Sequence, residues 1–299
     1  MLEVWFSYVF ISTILFGFTT IVDKLMLEKR LSSFSYYVSF VPPALAFSIG
    51  VLLSVPTNLL SAPCLIALLA GLISAAGYFV YVVSIRREEA SRIAALTSLA
   101  PAFVAALALL FINEIFPATS YIGIVLMILG SALISYKRKH VRKIIPTSLI
   151  LILILTNFMY SVDQTLSKIS LNQLSFWSFL AMFMLGRFAP AFPGLAVPSL
   201  RKRSVLEIKR LGRKLTLILA TGSIIWSLAI VLFFYSASLG PITLVSTTQL
   251  IAPLFTLLFA IMITKYFPRS LEEEIDRRTI ALKLVAILLV ILGTYLIMT

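Results

Sequence analysis

The chain repeats itself after 140 residues. Val22-Asp23-Lys24 and Ser35-Tyr36-Tyr37 recur, with no gap, as Val162-Asp163-Gln164 and Ser175-Phe176-Trp177. Further on, Ala100-Pro101 recurs as Ala252-Pro253, and Leu129-Gly130-Ser131-Ala132-Leu133-Ile134 as Leu292-Gly293-Thr294-Tyr295-Leu296-Ile297. Each copy holds five long apolar segments, and an odd number of crossings turns the second copy upside down in a membrane. Inverted repeats of this kind place two gates around one midplane site.

The apolar segments fall at roughly 4–22, 34–54, 64–85, 92–112, 117–136, 146–165, 175–197, 214–235, 242–265 and 279–298. Runs of about 20 apolar residues match a hydrocarbon core about 30 Å thick. Inside lipid each segment must satisfy its own backbone amides, which makes these runs helices. They lack the apolar–polar alternation of membrane strands. Only 12% of the 299 residues are charged, and 60% are hydrophobic; a soluble domain carries about 25% charged residues. The expected fold is therefore an all-α membrane protein. Its ten transmembrane helices form two inverted five-helix repeats, 1–136 and 147–299, joined by a basic loop at 137–146.

The first segment lacks the basic start and small-residue cleavage site of a signal peptide, so it reads as a retained span. The single cysteine, Cys64, rules out an internal disulfide or a cysteine metal site and reads as a small buried apolar residue. The single histidine, His140, lies among basic loop residues, which leaves no histidine-based catalytic pair. No cofactor and no metal are expected.

A net charge of +13 would suggest nucleic acid in a soluble chain. Here 23 of the 25 lysines and arginines lie in loops that follow odd-numbered spans. The exceptions are Lys168 and Arg187, the latter inside a span. The positive-inside rule puts those loops in the cytoplasm and both termini outside, with anionic lipid headgroups as neighbours. The loop Ser199–Lys214 reads as a solvated basic linker, the alternative being a short amphipathic helix on the membrane surface. The acidic stretch around Glu272, Glu273, Glu274 and Asp276 reads as an exposed helix extension peculiar to the second copy.

Pro101, then Glu114, then Gly123 and Gly130 follow the spacing of a known repeat unit, as does Gly17 with Lys24; Phe16 stands where a tryptophan is usual. The second copy keeps Pro253 and Gly293 and the lead-in Leu239-Gly240-Pro241, with Tyr266 in place of the glutamate. The chain thereby resembles the EamA-like members of the drug/metabolite transporter superfamily. The resemblance implies ten helices in two repeats and a cavity lined by the third, sixth and eighth. It implies cargoes ranging over amino acids, nucleotide sugars, sugar phosphates and drugs. Family members usually keep both termini in the cytoplasm, the reverse of what the charge distribution gives.

Polar side chains within lipid are costly, so the few present are the candidates for function. Arg187 is the one deeply placed cation. Its planar fork suits a carboxylate or phosphate, and the alternatives are a structural ion pair or capping of carbonyls freed by Gly186, Pro190 and Pro193. Ser74, Tyr78 and Tyr81 share a face of the third span. Thr156, Tyr160 and Asp163 share one on the sixth, beside Asn157. Trp226 is the repeat partner of Ser74, with Ser223 and Ser227 nearby, and Gln249 is the partner of Thr97. Of these, Ser74, Tyr78, Tyr81, Asn157, Tyr160, Arg187, Trp226 and Gln249 are expected to bind substrate. A single serine or threonine on its own is expected to form an interhelical hydrogen bond. Asp23 and Asp163, repeat partners at opposite mouths, are expected either to gate and couple protons or to pair with Lys24 and Lys168. Glu114 reads as a structural helix-end residue.

These features lead to a secondary transporter of a small polar metabolite, an exporter or exchanger, with an amino acid as the suggested cargo. No Gly-rich sequence followed by Lys-Ser or Lys-Thr is present to bind ATP, so a gradient is expected to drive it. The alternatives are a flippase for a lipid-linked substrate and a non-transporting scaffold or receptor. An enzyme is not expected, since no histidine, metal cluster or acid pair is available for chemistry. The expected setting is a prokaryotic or archaeal cell membrane, as a monomer or weak homodimer with no nucleic-acid partner.

Overall fold

The structure is a computed structural model that describes residues 3–29, 31–85, 98–134, 147–264 and 277–298. Thr97, the 137–146 loop and the acidic stretch at 272–276 lie outside these residues. The described residues are mostly helical, with no strand among them. In chain order the helices are α1 (Val4–Lys29), α2 (Ser33–Ser39), α3 (Val41–Ser54), α4 (Ala62–Ile85), α5 (Ala100–Ile112), α6 (Ala118–Ile134) and α7 (Thr147–Leu171). Then come α8 (Phe176–Phe188), α9 (Ala191–Ala196), α10 (Pro198–Lys209), α11 (Gly212–Leu239), α12 (Ile242–Thr248), α13 (Ala252–Thr264) and α14 (Arg277–Met298). Five stretches are long and apolar enough to cross a membrane: Val4–Leu27, Ser33–Ser54, Ala62–Tyr81, Gly212–Leu239 and Ile242–Phe259. Shorter apolar helices accompany them. Leu53, Leu110, Ile224 and Leu288 are among many large apolar side chains exposed on the outside. Lipid accommodates such a surface and water does not. The chain is a multi-pass membrane protein.

Three stretches read as continuous from the sequence are broken, each at prolines. Pro42 and Pro43 have no amide hydrogen for the carbonyls one turn back, so the helix stops at Ser39 and restarts at Val41. Pro190 and Pro193 divide α8 from α9 in the same way. Pro253 cannot bond the Gln249 carbonyl, which takes the amide of Ala252 instead in a 3-10 turn over Gln249–Ile251. The loop expected as a solvated basic linker is also corrected. Residues Pro198–Lys209 form α10, and its Ser204 and Glu207 hydrogen bond to the start of α2, which a free linker cannot do.

The two halves of the chain are interleaved. α1 packs on α11 and α13, α4 on α7 and α8, α5 on α7, α3 on α8, and α6 on α14. Glycines let backbones approach where a side chain would not fit. A Cβ on Gly71 would lie 2.1 Å from the Phe183 carbonyl oxygen, and one on Gly186 would lie 2.0 Å from that of Leu68. α4 and α8 thus cross backbone to backbone. α3 and α11 make no close packing of this kind.

One end of the bundle is tied together by polar bonds, within the second half at Lys168 and between the halves elsewhere. Lys168 Nζ donates to the carbonyls of Ala237 (2.7 Å) and Gly240 (2.9 Å). Glu114 accepts from the amides of Ile242 and Thr243 and from the Thr243 hydroxyl. The carboxylate caps the start of α12 while the ammonium caps the end of α11, each the sign that the helix end attracts. Ser170 donates to the Pro63 carbonyl, Ser236 to that of Trp5, and the hydroxyls of Thr57 and Ser178 meet at 2.9 Å.

Candidate functional site

Toward the other end, a small pocket lies between α1, α2, α4, α8 and α11. Asp23, Tyr36, Tyr37, Phe40, Tyr78, Arg187, Phe188 and Trp226 line it. Arg187 is its centre. The last turn of α8 carries it into the protein, where it is 8% exposed. A guanidinium hydrogen bonds to Ser74 Oγ. The guanidinium carbon lies 5.0 Å from the centre of the Trp226 ring and 5.8 Å from that of Tyr78, so two aromatic faces flank the cation. Among the described residues no carboxylate lies within ion-pair distance of Arg187. The expected structural ion pair is therefore not what holds it. Nor does it cap the carbonyls freed at Pro190 and Pro193. A neutral hydroxyl acceptor and two rings hold the charge, and among the described residues its remaining donors have no carboxylate partner.

α2 supplies the opposite wall. Its cap Ser32 accepts from the Ser35 amide, which fixes the helix start and aims two neighbouring tyrosines at the site. Tyr36 donates its hydroxyl to Asp23, and Tyr37 donates to the backbone carbonyl of Arg187. Tyr37 also packs on Phe79 and Phe188, with ring centres 4.7 and 5.4 Å apart, and Phe40 meets Trp226 at 5.4 Å.

Of the residues singled out from sequence, Asp23, Tyr78, Arg187 and Trp226 line one pocket, and Ser74 joins them through Arg187. Asp163 is buried with Ser74 facing it, so one hydroxyl stands between a carboxylate and the guanidinium. The expected pairing of Asp163 with Lys168 is corrected, because Lys168 is engaged by the carbonyls that end α11. Tyr160 packs on Gly77, close behind Tyr78, and Tyr81 lies near Asp23 and Tyr160. Neither Tyr81 nor Tyr160 lines the pocket. Asn157 lies one turn earlier on α7, its amide donating to the Leu153 carbonyl. Gln249 lies in the 3-10 turn, its Nε2 buried without a partner, and is not among the lining residues. Thr156, Ser223 and Ser227 were expected to bond between helices. Each instead bonds the carbonyl four residues earlier in its own helix, the acceptor nearest a short hydroxyl. Tyr36, Tyr37, Phe40 and Phe188 were not foreseen as lining residues. Tyr36 and Tyr37 belonged to the repeat signature itself, which was the available signal.

Residues 4–136 match the EamA-like transporter family. Over that stretch the chain is similar to the EamA-like transporters. No curated protein matches the chain. A solved crystal structure, described only as that of a protein, shares the fold with a TM-score of 0.72 at 14% identity, over 98% of this chain and 95% of that one. Within residues 4–136 each motif position has a mechanical task. Pro101 sits in the first turn of α5. Asn113, in the left-handed region with a φ of 58°, ends that helix and delivers Glu114 to the start of α12. Gly123 and Gly130 face α14, where a Cβ would meet the carbonyls of Gly293 and Ala286 at 2.8 and 2.9 Å. Gly17 faces α13 in the same manner. The motif marks where the two halves press together, and the pocket residues lie outside it.

Proposed function

We propose that the protein is a secondary transporter that moves a small polar metabolite bearing a carboxylate or phosphate, with an amino acid the best fit. Arg187 carries the reading. A buried guanidinium without a carboxylate partner is costly unless an anion reaches it, and an anionic cargo is the partner that comes and goes. The fork would take the anionic group, Asp23 would face a cargo ammonium, and the rings of Tyr37, Tyr78 and Trp226 would cover its apolar part. The lining, a guanidinium and a carboxyl among aromatic rings, favours a small polar metabolite over a lipid-linked cargo.

The proposed architecture is ten spans in two inverted repeats working by alternating access. Exchange of the repeats turns the α1–α11 contact into the α4–α7 contact, turns α1–α13 into α5–α7, and leaves α6–α14 unchanged; all of these are present. The close crossing of α4 and α8 would become one of α3 with α11, and that one is missing. One side is thus shut while the symmetric side is apart, with the pocket between. We place the protein in a prokaryotic cell membrane with its basic loops in the cytoplasm, so the pocket faces inward.

Thermal unfolding of purified wild type, Arg187→Lys and Arg187→Ala, with and without a panel of amino acids and sugar phosphates, tests the assignment. The wild type should be stabilised by a subset of anionic or zwitterionic compounds. Arg187→Ala should lose that shift while unfolding near the wild-type temperature, and Arg187→Lys should recover part of it, since a point charge replaces a fork poorly. A fall in melting temperature that is equal with and without ligand would make Arg187 structural, and the anionic cargo would go with it.

A further inference from the structure

α10 presents two different faces. Inward, Ser204 Oγ receives the Ser35 hydroxyl at 3.1 Å, Glu207 receives the Ser32 amide at 2.8 Å, and Phe34 packs against Gly194 just before the helix. Outward, Arg201, Lys202, Lys209 and Arg210 are exposed around Val205 and Leu206, which are 47% and 53% exposed. The chain enters α10 from the apolar α8 and α9 and leaves it into the membrane-length α11, so α10 lies at the bilayer surface. Four exposed cations around two bare apolar side chains, at that depth, complement anionic headgroups with acyl chains beneath. Nucleic acid or an acidic protein would match the charge but not the Val205–Leu206 centre or the depth.

We infer that the outward face of α10 docks on anionic phospholipid and that its inward face thereby holds α2, whose Tyr36 and Tyr37 form the wall of the pocket. Lipid composition would then set how firmly that wall is held. The second half of this inference rests on the proposed pocket; the first half does not.

The test uses the full chain in nanodiscs of phosphatidylcholine alone or with a third of phosphatidylglycerol. An environment-sensitive dye is placed at Leu206→Cys in a Cys64→Ala background, and amide exchange is followed over residues 32–40. With phosphatidylglycerol the dye should move to an apolar environment and exchange over 32–40 should slow. Lys202→Gln, Lys209→Gln and Arg210→Gln should each weaken the dye response roughly fivefold, and salt should weaken it further. A Ser204→Ala, Glu207→Ala pair should keep the dye response and lose the slowed exchange. A dye response equal in the two lipids would overturn the docking, and so would an equal response to inorganic phosphate in neutral discs. A dye response with unchanged exchange in the wild type would overturn the link to α2. The dye reports lipid and not cargo, so failure of the transport reading leaves the docking result standing.

Discussion

Arg187 and Glu207 show how differently two charges can be handled in one chain. Arg187 is buried and held by a hydroxyl and two rings, contacts of about 0.5–2 kcal/mol each, which leaves its charge free for an incoming anion. Glu207, on the surface helix, is fully committed. Burial pushes its carboxyl up, but hydrogen bonds from Arg203, from the Ser32 amide and from the hydroxyls of Ser35 and Ser32 outweigh this and hold it at about 2. A carboxyl held below its ordinary range stabilises the folded form above the unfolded pKa and loses that contribution as pH falls toward 2. Protection of the 32–40 amides should therefore not change between pH 8 and pH 5 beyond the intrinsic exchange rate. It should be lost at neutral pH in Glu207→Ala. A loss of protection already at pH 5 in the wild type would mean that Glu207 is not held in this way. Sequence revealed Arg187 because a charge inside an apolar run is conspicuous. It concealed Glu207, whose partners Ser32 and Ser35 lie far away in the chain and whose surroundings read as a solvated loop.

Helix breaks and helix crossings are the features of intermediate scale that shape the site. The apolar runs gave the helices, because length and hydrophobicity alone decide what crosses a membrane. The breaks at Phe40, Ala189 and Gln249 were not legible as site geometry, although the prolines were in plain view. A proline announces a lost hydrogen bond but not which way the chain turns, and it is the turn at Phe40 that brings Tyr36 and Tyr37 to Arg187. The α4–α8 crossing depends on Gly71 and Gly186, where any Cβ meets a carbonyl and not a movable side chain. Gly186→Ala should lower stability by about 1–3 kcal/mol as overpacking does. Gly50→Ala, with open space around it, should be neutral or slightly stabilising because alanine favours a helix. Thermal unfolding of both in one detergent checks the contrast. Equal behaviour would mean that the crossing is loose.

At the scale of the whole molecule, the repeat signature led to the expectation of two inverted halves around one site, and the helices of the two halves do pack against one another. The asymmetry was not legible. Glu114 and Lys168 clamp one end, while the second copy carries Tyr266 where the first has Glu114, so the sequence hints at unequal ends without saying which is shut. In the proposed orientation, which follows the distribution of lysine and arginine, the α10 end would be cytoplasmic and the clamped end outside. Cysteines introduced at Lys202 and at Asn58, in a Cys64→Ala background, should report this in intact cells. A membrane-impermeant reagent should label the Asn58 site and spare the Lys202 site, and the opposite pattern would restore the orientation usual for EamA-like transporters.

The central claim is that the Arg187 pocket carries an anionic or zwitterionic metabolite across the bilayer without ATP. Counterflow of labelled amino acids and sugar phosphates in proteoliposomes tests it most directly. Vesicles with wild-type protein should accumulate at least one such compound against an unlabelled internal pool, Arg187→Ala vesicles should not, and ATP should make no difference. Accumulation that persists unchanged in a correctly folded Arg187→Ala protein, or is confined to cations, would contradict the account.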